Sequence, residues 1–505
     1  MTETPREELP VVVIGAGPVG LAAAAHLLER GLEPLVLEAG SGPGAAVAGW
    51  GHVRLFSPWR YGIDAAARRL LSEPLTGWTE PDPDALPTGA DLVERYLTPL
   101  ARALGDRVRY GQRVIAVARQ GADRMRSLGR ERLPWLVRTD DGDVLARAVI
   151  DASGTYGTPN PLGVSGLPAQ GESEAGAHLV GALPDVLGRE RARFAGRRTL
   201  VAGMGHSAAN TLLGLVELAE QEPGTEIVWA IRGGSPRRLY GGGTDDQLPA
   251  RGLLGTRLRD AVESGRVTLV TRATIDAVSP VEADGEALPE GMRPQGDAPA
   301  DGVGRAPAGG VGRAAADGVV RAAAGTVRVL GSGRRDGVDG PLDVVVHNIA
   351  AATGFRPDLA MLREVQLDLD PIVEAPSRLA PLIDPNLHSC GTVPPHGEAE
   401  LAHPDDGFYL AGMKSYGRAP TFLLATGYEQ VRSIAAALAG DRAAADAVEL
   451  DLPRTGVCSS DLALQADADG TVSPQALAAA ATQVDACCAV PSAPQPITIG
   501  AAPSR

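Results

Sequence analysis

Two short glycine-rich segments constrain the fold of this chain more than any other feature. The first is GAGPVG at residues 15–20, which follows an apolar run typical of a buried strand and precedes an Ala/Leu-rich run typical of a helix. In such a β-α-β unit Gly15 permits a tight turn, Gly17 lets the backbone approach a pyrophosphate, and Gly20 lets helix and strand pack closely. The order of strand, turn and helix therefore predicts a dinucleotide site, with Gly15, Gly17, Pro18 and Gly20 as its candidate residues.

An acidic residue stands at the end of the next strand-like run. Glu38 follows the apolar residues 34–37, and its distance from the glycine segment is typical of the acid that accepts hydrogen bonds from ribose hydroxyls. A carboxylate at this place fits a ribose without a phosphate. The glycine pattern alone is weak evidence for a dinucleotide site, and an acid at this spacing makes the prediction more specific. We therefore add Glu38 to the predicted site.

The second glycine-rich segment repeats this arrangement further along the chain. It again lies between an apolar strand-like run, residues 198–202, and a predicted helix, residues 207–219, and it is followed by another strand-like run, residues 226–231. Alanine takes the place of the third glycine. The segment predicts a second dinucleotide site, and its candidate residues are Gly203, Gly205, His206, Ser207 and Ala208.

The second site differs from the first at the end of its second strand, where a base replaces the acid. Arg232 stands there, and a guanidinium suits the 2′-phosphate of NADPH better than the free ribose of NADH. The neighbouring Arg237 and Arg238 could share or take this role. The alternative is that Arg232 is a solvated surface charge.

Length and charge set further limits. A chain of 505 residues exceeds one ordinary core and predicts two domains with extensions. Its net charge of −15 argues against a nucleic-acid partner, because phosphate binding needs a basic surface. The longest apolar stretch, residues 11–28, is interrupted by three glycines and Pro18, so no membrane partner is expected. Without a basic leader the expected location is cytoplasmic.

Three segments depart from this β-α-β pattern. Between residues 108 and 150 the runs 114–118, 135–139 and 144–150 predict a small antiparallel meander, with Asp141-Gly142 as a hairpin signal. Residues 281–341 carry an imperfect short repeat with few large side chains, which predicts a disordered or loosely ordered insertion. The chain after residue 441 is rich in Ala, Pro and Ser and reads as a flexible tail.

The turns DASG at residues 151–154 and ATGFRP at 352–357 each close a strand-like run. Together with the two glycine segments they resemble the two-dinucleotide-domain flavoproteins of the glutathione-reductase-like fold, over about residues 10–440. The resemblance implies an α/β fold with two Rossmann-like, three-layer ββα domains, the NADPH-binding domain being inserted into the FAD-binding domain. The expected boundaries are 1–157 and 343–441 for FAD binding, 158–342 for NADPH binding with the insertion at 281–341, and 442–505 for the tail.

The resemblance also implies how FAD is held. The segment FYLAG at residues 408–412 would lead toward the flavin, and a helix opened by residues 420–422 would direct its N-terminus at the flavin N1/O2 edge. The family often has an acid after Gly412 to bind the ribityl chain, but Met413 stands here, which leaves that contact unassigned. The implied FAD residues beyond the first glycine segment and Glu38 are Gly154, Gly412, Thr421 and Phe422.

The type of reaction is narrowed by the cysteines. The chain has four, none of them in a Cys-x-x-Cys pair, which argues against the disulfide reductases of this fold. The order of motifs, including residues 155–161, resembles the flavin-dependent NADPH monooxygenases. This implies that NADPH reduces FAD and that a flavin C4a-(hydro)peroxide transfers oxygen from O2 to a small soft nucleophile. The fingerprint of the flavin-containing branch is degenerate around His178, which implies a divergent member.

Two other functions remain open from the sequence. One is an NADPH-dependent flavin reductase or dehydrogenase that passes electrons to another acceptor. The other is a non-catalytic flavin- or metalloid-sensing protein whose thiols bind the ligand. The partners expected in the first reading are a small-molecule substrate and oxygen, and a homodimer is left open as the assembly.

Candidate catalytic residues come from two segments. In this fold the stretch at residues 50–60 passes near the flavin, which makes His52, Arg54, Ser57 and Trp59 candidates, with packing or solvated charge as the alternative. Cys390 lies where a substrate loop could form, or is a small buried hydrophobe.

The tail carries the other three cysteines. No metal site is expected, but vicinal thiols bind trivalent arsenic, and the candidate metalloid ligands are Cys458, Cys487 and Cys488. The segments 52–59 and 415–427, with such a tail, are similar to an actinobacterial flavoprotein group associated with arsenic resistance, which implies a trivalent arsenical as one substrate class. Incidental cysteines in a tail are the alternative.

Overall fold

Fifteen strand segments and the helices between them define the fold within the described residues. A computed structural model of the chain describes residues 5–240, 249–281, 325–385 and 393–450. All of these lie in one compact unit, Met1–Cys458. The strands are β1 Val11–Ile14, β2 Pro34–Leu37, β3 Val108–Arg109, β4 Val114–Arg119, β5 Trp135–Thr139, β6 Gly142–Ala146, β7 Ala148–Asp151, β8 Leu179–Val180, β9 Arg198–Ala202, β10 Glu226–Ala230, β11 Thr268–Val281, β12 Thr326–Arg335, β13 Val338–Val346, β14 Asn348–Ala351 and β15 Phe408–Leu410.

The helices vary from single turns to sixteen residues. The α-helices are α1 Pro18–Glu29, α2 Ala45–Ala48, α3 Trp59–Gly62, α4 Ala65–Leu71, α5 Gly89–Leu92, α6 Thr98–Leu104, α7 Arg191–Phe194, α8 His206–Gln221, α9 Arg237–Tyr240, α10 Pro249–Glu263, α11 Ala380–Ile383, α12 Glu398–Leu401, α13 Leu424–Leu438 and α14 Arg442–Asp446. A π-helical segment, Val93–Leu97, joins α5 to α6, and short 3-10 turns include Gly176–His178 and Gly412–Tyr416.

The first sheet is parallel throughout, in the order β15-β7-β1-β2-β3. Every residue of β1, β2 and β7 is buried, because α1 and α13 pack on one face of the sheet and the strands β4, β5 and β6 pack on the other. This burial explains why the strands are nearly all apolar in the sequence. The predicted unit of strand, glycine turn and helix is confirmed, and the carboxyl ends of β1, β7 and β15 meet at one edge.

The second sheet contains the second predicted β-α-β unit. Its order is β13-β12-β11-β10-β9-β14-β8; β8, β14, β9, β10 and the start of β11 are parallel, and β11, β12 and β13 are antiparallel. The strand β9, the helix α8 and the strand β10 fall within two residues of the predicted bounds. Two sheets with helices between their strands confirm the α/β class.

The predicted meander is present as β4-β5-β6, but its third strand was predicted wrongly. The run 144–150 is divided at Arg147, whose backbone N–H donates to the Pro10 carbonyl at 3.0 Å. β6 stays in the meander, whereas β7 enters the parallel sheet beside β1. An unbroken apolar run carried no sign of this change of sheet, since burial on both faces also favours apolar residues.

Part of the segment expected to be loosely ordered is a long hairpin. β12 and β13 pair over nine residues, from Val327 with Val346 to Arg335 with Val338, so the expectation was wrong for residues 326–341. Asp336 and Gly337 both have positive φ, 51° and 80°, as a two-residue hairpin turn of the primed type requires. This Asp-Gly signal was present in the sequence and was missed. Residues 282–324 of the expected insertion lie outside the described ones.

Two expected domain boundaries also need correction. β14 pairs with β9 and β8, so the second sheet extends to Ala351 and the chain returns to the first domain after that residue, not at 343. At the other end, α14 contacts α13, because Arg432 donates to the Ala444 carbonyl at 2.7 Å and Ser433 to the Ala445 carbonyl at 2.7 Å. The expected tail at 442–505 therefore begins too early.

The two segments that join the domains lie side by side. Asn160 donates its backbone N–H to the Gly354 carbonyl at 2.9 Å, and Arg356 donates to the Thr158 carbonyl at 3.0 Å. The rings of Tyr156 and Phe355 pack with their centroids 5.3 Å apart. The turns at which the sequence predicted that the chain leaves and re-enters the first domain therefore continue into two short segments that pair with each other between the domains. Among the described helices, none has the length and apolar character needed to cross a bilayer.

The stability of the first domain should fall in mild acid because of a buried histidine. Burial lowers the pKa of His403 from 6.5 to about 4, and its ring packs on Phe408 at 6.0 Å. Between pH 6.5 and about 4, His403 binds a proton in the unfolded chain but stays neutral in the folded protein. The free energy of unfolding therefore decreases as the pH falls through this window. One site contributes up to about 3 kcal/mol, lessened by the ring's partial exposure.

Urea unfolding of the wild type and of His403→Asn between pH 4 and 7 measures this effect. The variant should have the shallower pH dependence, because an amide does not titrate in this range. Equal slopes for the two proteins would show that His403 does not contribute.

Candidate functional site

The first glycine turn has little room at two of its three glycines. Gly15 has φ of +99°, and a Cβ there would lie 3.0 Å from the Ala152 carbonyl oxygen. A Cβ on Gly20 would lie 1.9 Å from the Gly15 carbonyl oxygen, because α1 packs tightly against the turn. The roles predicted for these two glycines, a tight turn and close helix packing, follow directly from this geometry.

Gly17 differs, because the space beside it is open. A Cβ on Gly17 would meet no atom within 4 Å, and the backbone is extended, with φ of −78° and ψ of −177°. Gly17 is the N-cap residue of α1 and Pro18 is its first residue, so the free N–H groups and the positive end of the helix dipole face this space. An anionic pyrophosphate fits there.

Glu38 is held against the same turn. One carboxylate oxygen accepts the backbone N–H of Ala16 at 2.7 Å, and the other accepts that of Gly40 at 2.7 Å. A carboxylate offers about four lone pairs, so each oxygen retains capacity for a further donor. The two backbone contacts fix the side chain beside the glycine turn, where ribose hydroxyls could complete its hydrogen bonding.

The second turn repeats the first in detail. Gly203 has φ of +129°, and a Cβ there would lie 2.0 Å from the Ala352 carbonyl oxygen. Beside Gly205, the N-cap of α8, no atom lies within 4 Å of a Cβ position. Ala208 is fully buried at the place of the third glycine, while His206 is exposed and Ser207 half-buried at the start of the helix. The space beside Gly205 is again suited to a pyrophosphate.

Arginines surround the loop that follows β10. Arg232 and Arg237 are exposed, and the sequence pointed to both; Arg238 is placed in α9, but its side chain lies outside the described parts. Arg272 was missed. Its backbone N–H donates to the Gly233 carbonyl at 3.0 Å, and its Nε lies 3.7 Å from where a Cβ on Gly234 would be. Strand pairing of β11 with β10 brings Arg272 here, and no motif marks it in the sequence.

The last strand of the first sheet leads to the side of α1. Gly412 has φ of +67°, and a Cβ there would lie 3.2 Å from a methyl group of Val19. Its backbone N–H donates to the side-chain oxygen of Gln430 at 2.8 Å. Gly154, after β7, also has positive φ, +70°, and open space beside it. Both glycines thus lie at the edge of the sheet where β1 and its turn end.

The helix expected to open at residue 420 begins later. α13 starts at Leu424, so Thr421 and Phe422 lie before the helix, and the prediction that they open it was wrong. Phe422 packs edge-on against Tyr416, with the ring centroids 5.3 Å apart. Thr421 is 6% exposed, and its hydroxyl has no partner among the described residues. The free N–H groups of α13 accordingly belong to its first turn from Leu424.

The segment at residues 50–60 divides between surface and core. Trp59 is 1% exposed in the first-domain core, where the Arg95 guanidinium lies 5.8 Å from its ring centroid, which favours packing over a pocket role. His52 and Arg54 are exposed, and Arg54 donates to the Leu86 carbonyl at 2.8 Å. Ser57 is half-buried.

One residue of this segment that the sequence did not single out reaches the second domain. Phe56 packs on the hydrophobic cluster of that domain, and its ring meets His206 edge-on at 5.2 Å. His206 opens α8, so Phe56 touches the second glycine turn. Only the fold could show this contact, because about 150 residues separate the two in the sequence.

Several predicted residues remain without structural description. Cys390, Cys458, Cys487 and Cys488 all lie outside the described residues. Within the described ranges there is no group of three or more His, Cys, Asp or Glu side chains arranged to hold a metal ion. His178 is buried, and its Nδ1 lies 2.9 Å from the carbonyl oxygen of His347, the residue between β13 and β14.

Comparison with known proteins identifies the family. The family described as pyridine nucleotide-disulphide oxidoreductase matches residues 12–286, more than half of the chain. The indole-3-pyruvate monooxygenase YUCCA1 of Oryza sativa subsp. japonica is 32% identical over 212 residues, which are 40% of this chain and 44% of that protein. The chain therefore spans less than half the length of this relative.

Solved structures share the fold over most of the chain. The bacillithiol disulfide reductase Bdr of Bacillus cereus has a TM-score of 0.54 at 17% identity, covering 86% of this chain and 99% of that one. DfoA of Erwinia amylovora, a cadaverine monooxygenase solved with FAD bound, has a TM-score of 0.54 at 13% identity, covering 89% and 98%. At these identities the likeness concerns the fold.

Proposed function

We propose, from the premise that this chain belongs to the pyridine nucleotide-disulphide oxidoreductase family, that it is an FAD-dependent, NADPH-using monooxygenase. Its substrate would be a small soft nucleophile that reacts at nitrogen, sulfur or trivalent arsenic. Over the whole reaction NADPH, a proton, oxygen and the substrate give NADP⁺, water and the oxygenated product. This balance needs no further reductant.

The observation that carries the proposal is that each of the two glycine turns packs against one of the two segments that join the domains, and that these two segments lie side by side. Gly15 lies against Ala152 and Gly203 lies against Ala352, at 3.0 Å and 2.0 Å from the Cβ positions to the carbonyl oxygens. Both alanines are in the turns that lead into the adjacent joining segments. Two dinucleotides bound at the two turns would therefore extend from neighbouring points of the fold, as a hydride transfer between them requires.

The residues present fit the two cofactors. FAD would be held by the free N–H groups of α1 beside Gly17 and by Glu38, whose hydrogen bonding suits a ribose without a phosphate. NADPH would be held at the start of α8 beside Gly205, with Arg232 and Arg237 near its 2′-phosphate. FAD, when bound, supplies a hydride acceptor that can then react with oxygen. The protein's own task is to bind, to orient and to exclude water.

Two features favour oxygen over a disulfide as the electron acceptor. The sequence has no Cys-x-x-Cys pair to relay electrons from a flavin, and its 32% identical relative is a monooxygenase by name. For the substrate, the vicinal Cys487 and Cys488 support a trivalent arsenical, because adjacent thiols are soft ligands for such species. Cys390 and the exposed His52 and Arg54 stay candidates for contacts with substrate.

Simultaneous measurement of NADPH oxidation, oxygen consumption and hydrogen peroxide tests the proposal. Amines, sulfides and trivalent arsenicals are added in turn. One of these classes should accelerate oxygen uptake, with equal amounts of NADPH and oxygen consumed and little peroxide released. Flavin reduction by NADPH followed by transfer only to an artificial acceptor would overturn the proposal in favour of a reductase. Absence of NADPH oxidation would favour a sensor.

A double variant tests whether trivalent arsenicals are the substrate, independently of the monooxygenase activity itself. If arsenicals are substrates, Cys487→Ser with Cys488→Ser should raise KM for them and leave the rate of flavin reduction by NADPH unchanged, since the thiols capture substrate and carry no electrons. An unchanged KM would assign these cysteines no part in the reaction. Ser459→Ala with Ser460→Ala, which changes two adjacent residues without a thiol, is the matched control.

A further inference from the structure

Arg272 has a backbone conformation that arginine rarely adopts. Its φ is +48°, in the left-handed region, where the Cβ of any residue other than glycine is crowded by its own backbone. Among the described residues that are not glycine, only Asp336 and Glu374 share a positive φ. Such strained positions persist where the surrounding structure holds them, and they cluster at functional sites. The conformation of Arg272 therefore calls for a reason.

The backbone of Arg272 is bent where β11 leaves β10. The parallel pairing of β11 with β10 ends at Val270, and its antiparallel pairing with β12 is interrupted by a bulge between Thr271 and Thr274. The backbone N–H of Arg272 donates to the Gly233 carbonyl at 3.0 Å, which fixes the bend against the loop after β10. A glycine at position 272 would make this bend without crowding. The bend alone thus does not require an arginine.

The half-buried side chain of Arg272 lies beside the same loop. Its Nε is 3.7 Å from where a Cβ on Gly234 would be. The preceding residue of the loop meets the second glycine turn, because a Cβ on Gly233 would lie 3.9 Å from the methyl group of Met204. The loop also carries the exposed Arg232. Arg272 is therefore separated from the second glycine turn only by this short loop.

The strand order shows which half of a dinucleotide would lie over the loop. From β9 the chain passes to β10 and β11 on one side, while β14 lies on the other. In open α/β sheets a dinucleotide crosses the crevice at such a reversal, and its adenosine ribose lies after the second strand of the β-α-β unit. With the pyrophosphate beside Gly205, this ribose would lie at the end of β10. Arg272 ends the parallel part of β11, the next strand.

A nearby carboxylate gives another possible reason for an arginine at this position. Hydrogen bonds from Arg334 lower the pKa of Asp339 on β13, and the charge of Arg272 adds to this effect. Arg334 donates to both carboxylate oxygens of Asp339 at 2.8 Å. Asp339 thus has a cation bound to it in any case, and its neutralisation does not require Arg272.

We propose that Arg272 is a specificity-determining residue of the second site, whose guanidinium binds the 2′-phosphate of NADPH together with Arg232. This rests on the proposed function, in which NADPH binds at the second turn. A guanidinium carries five N–H donors in a planar fork, so it can donate two of them to a phosphate and keep other contacts. An arginine at a position where glycine would be unstrained is explained if its side chain binds a ligand.

Calorimetric titration of the full-length protein with adenosine 2′,5′-bisphosphate and with 5′-AMP tests the assignment, because the two probes differ only in the 2′-phosphate. Arg272→Gly removes the guanidinium and the strain together. This variant should bind the bisphosphate about ten- to a hundredfold more weakly, as for one lost charge-assisted contact, and bind AMP as the wild type does. Its thermal unfolding midpoint should equal or exceed that of the wild type, because glycine adopts a positive φ without crowding.

Two results would overturn the inference. An equal loss of affinity for both probes would show that Arg272 does not recognise the 2′-phosphate. Wild-type affinities combined with a lower unfolding midpoint would assign Arg272 to the bend alone. If Arg272→Gly does not fold, Arg272→Asn replaces it, because asparagine also tolerates this conformation, and the same selective loss is expected.

The matched control is a left-handed residue in the other domain. Glu374 has φ of +58° and lies between Val373 and Ala375 of the first-domain core. Glu374→Gly relieves the same kind of strain and should bind both probes as the wild type does. If the wild type does not prefer the bisphosphate over AMP, the use of NADPH in the proposed function fails. If the wild type has this preference and Arg272→Gly keeps it, only this inference fails.

Discussion

Gly17→Val should give a folded protein that no longer retains FAD. The added side chain enters open space, since no atom lies within 4 Å of the Cβ position, and the backbone at Gly17 is extended, a conformation that valine adopts readily. The same side chain occupies the place that a pyrophosphate needs against the helix N-terminus. Losing two charge-assisted hydrogen bonds of about 1.5–3 kcal/mol each weakens FAD binding at least about a hundredfold.

The measurement is flavin absorbance after gel filtration, together with the thermal unfolding midpoint of the apoprotein. Gly205→Val is the matched control, because its Cβ position in the second turn is equally open; this variant should keep FAD and lose reduction by NADPH. Gly20→Val should fail to fold, since its Cβ would lie 1.9 Å from a carbonyl oxygen. Full flavin content in Gly17→Val would place the cofactor elsewhere.

Arg232→Ala should reduce the use of NADPH and spare that of NADH. Arg232 is exposed at the loop after β10 and has no hydrogen-bond or ion-pair partner among the described residues, so its guanidinium is available to a 2′-phosphate. A charge-assisted contact of about 1.5–3 kcal/mol corresponds to a loss of about ten- to a hundredfold in kcat/KM for NADPH. Stopped-flow flavin reduction with each nucleotide gives the comparison.

Two further variants sharpen this result. Arg266→Ala removes another surface arginine, one that is paired with Glu220 at 2.9 Å on the same domain, and should change neither nucleotide. Arg237→Ala should show a smaller selective loss if this neighbour shares the phosphate. Equal losses with NADPH and NADH in Arg232→Ala would refute the assignment of the 2′-phosphate to this loop.

Local backbone requirements explain the predictions from sequence that succeeded. No side chain fits at Gly15 and Gly203, where φ is positive, or at Gly20, where a Cβ would lie under 2 Å from another atom. Each of these backbone requirements is therefore visible in the sequence as a single glycine. The strands β1, β9 and β10 are short, apolar and bounded by turns, which restricts the alternatives. The acid at Glu38 and the base at Arg232 stand at fixed distances along the chain from these turns.

Apart from the hairpin β12-β13, whose Asp-Gly turn was present in the sequence, the predictions that failed concern segments that could adopt more than one local structure. An apolar run at 144–150 suits an antiparallel strand or a parallel one, and the division at Arg147 depends on which neighbour it meets. β14 could join either sheet by composition, and its pairing with β9 decides the matter. α13 starts only at Leu424, and Phe422 before it packs against Tyr416, a contact that the sequence does not reveal.

The sequence by itself determined that the chain has two glycine turns, a β-α-β unit around each, an acid after one and arginines after the other, because each of these depends on residues close together along the chain. Only the tertiary structure decided that Arg272 lies beside the loop after β10, that Phe56 touches His206, and that the single lysine lies buried against Asp151. These contacts join residues from about forty to more than two hundred and fifty positions apart, and such distances are closed by sheet pairing and packing, which leave no local pattern in the chain.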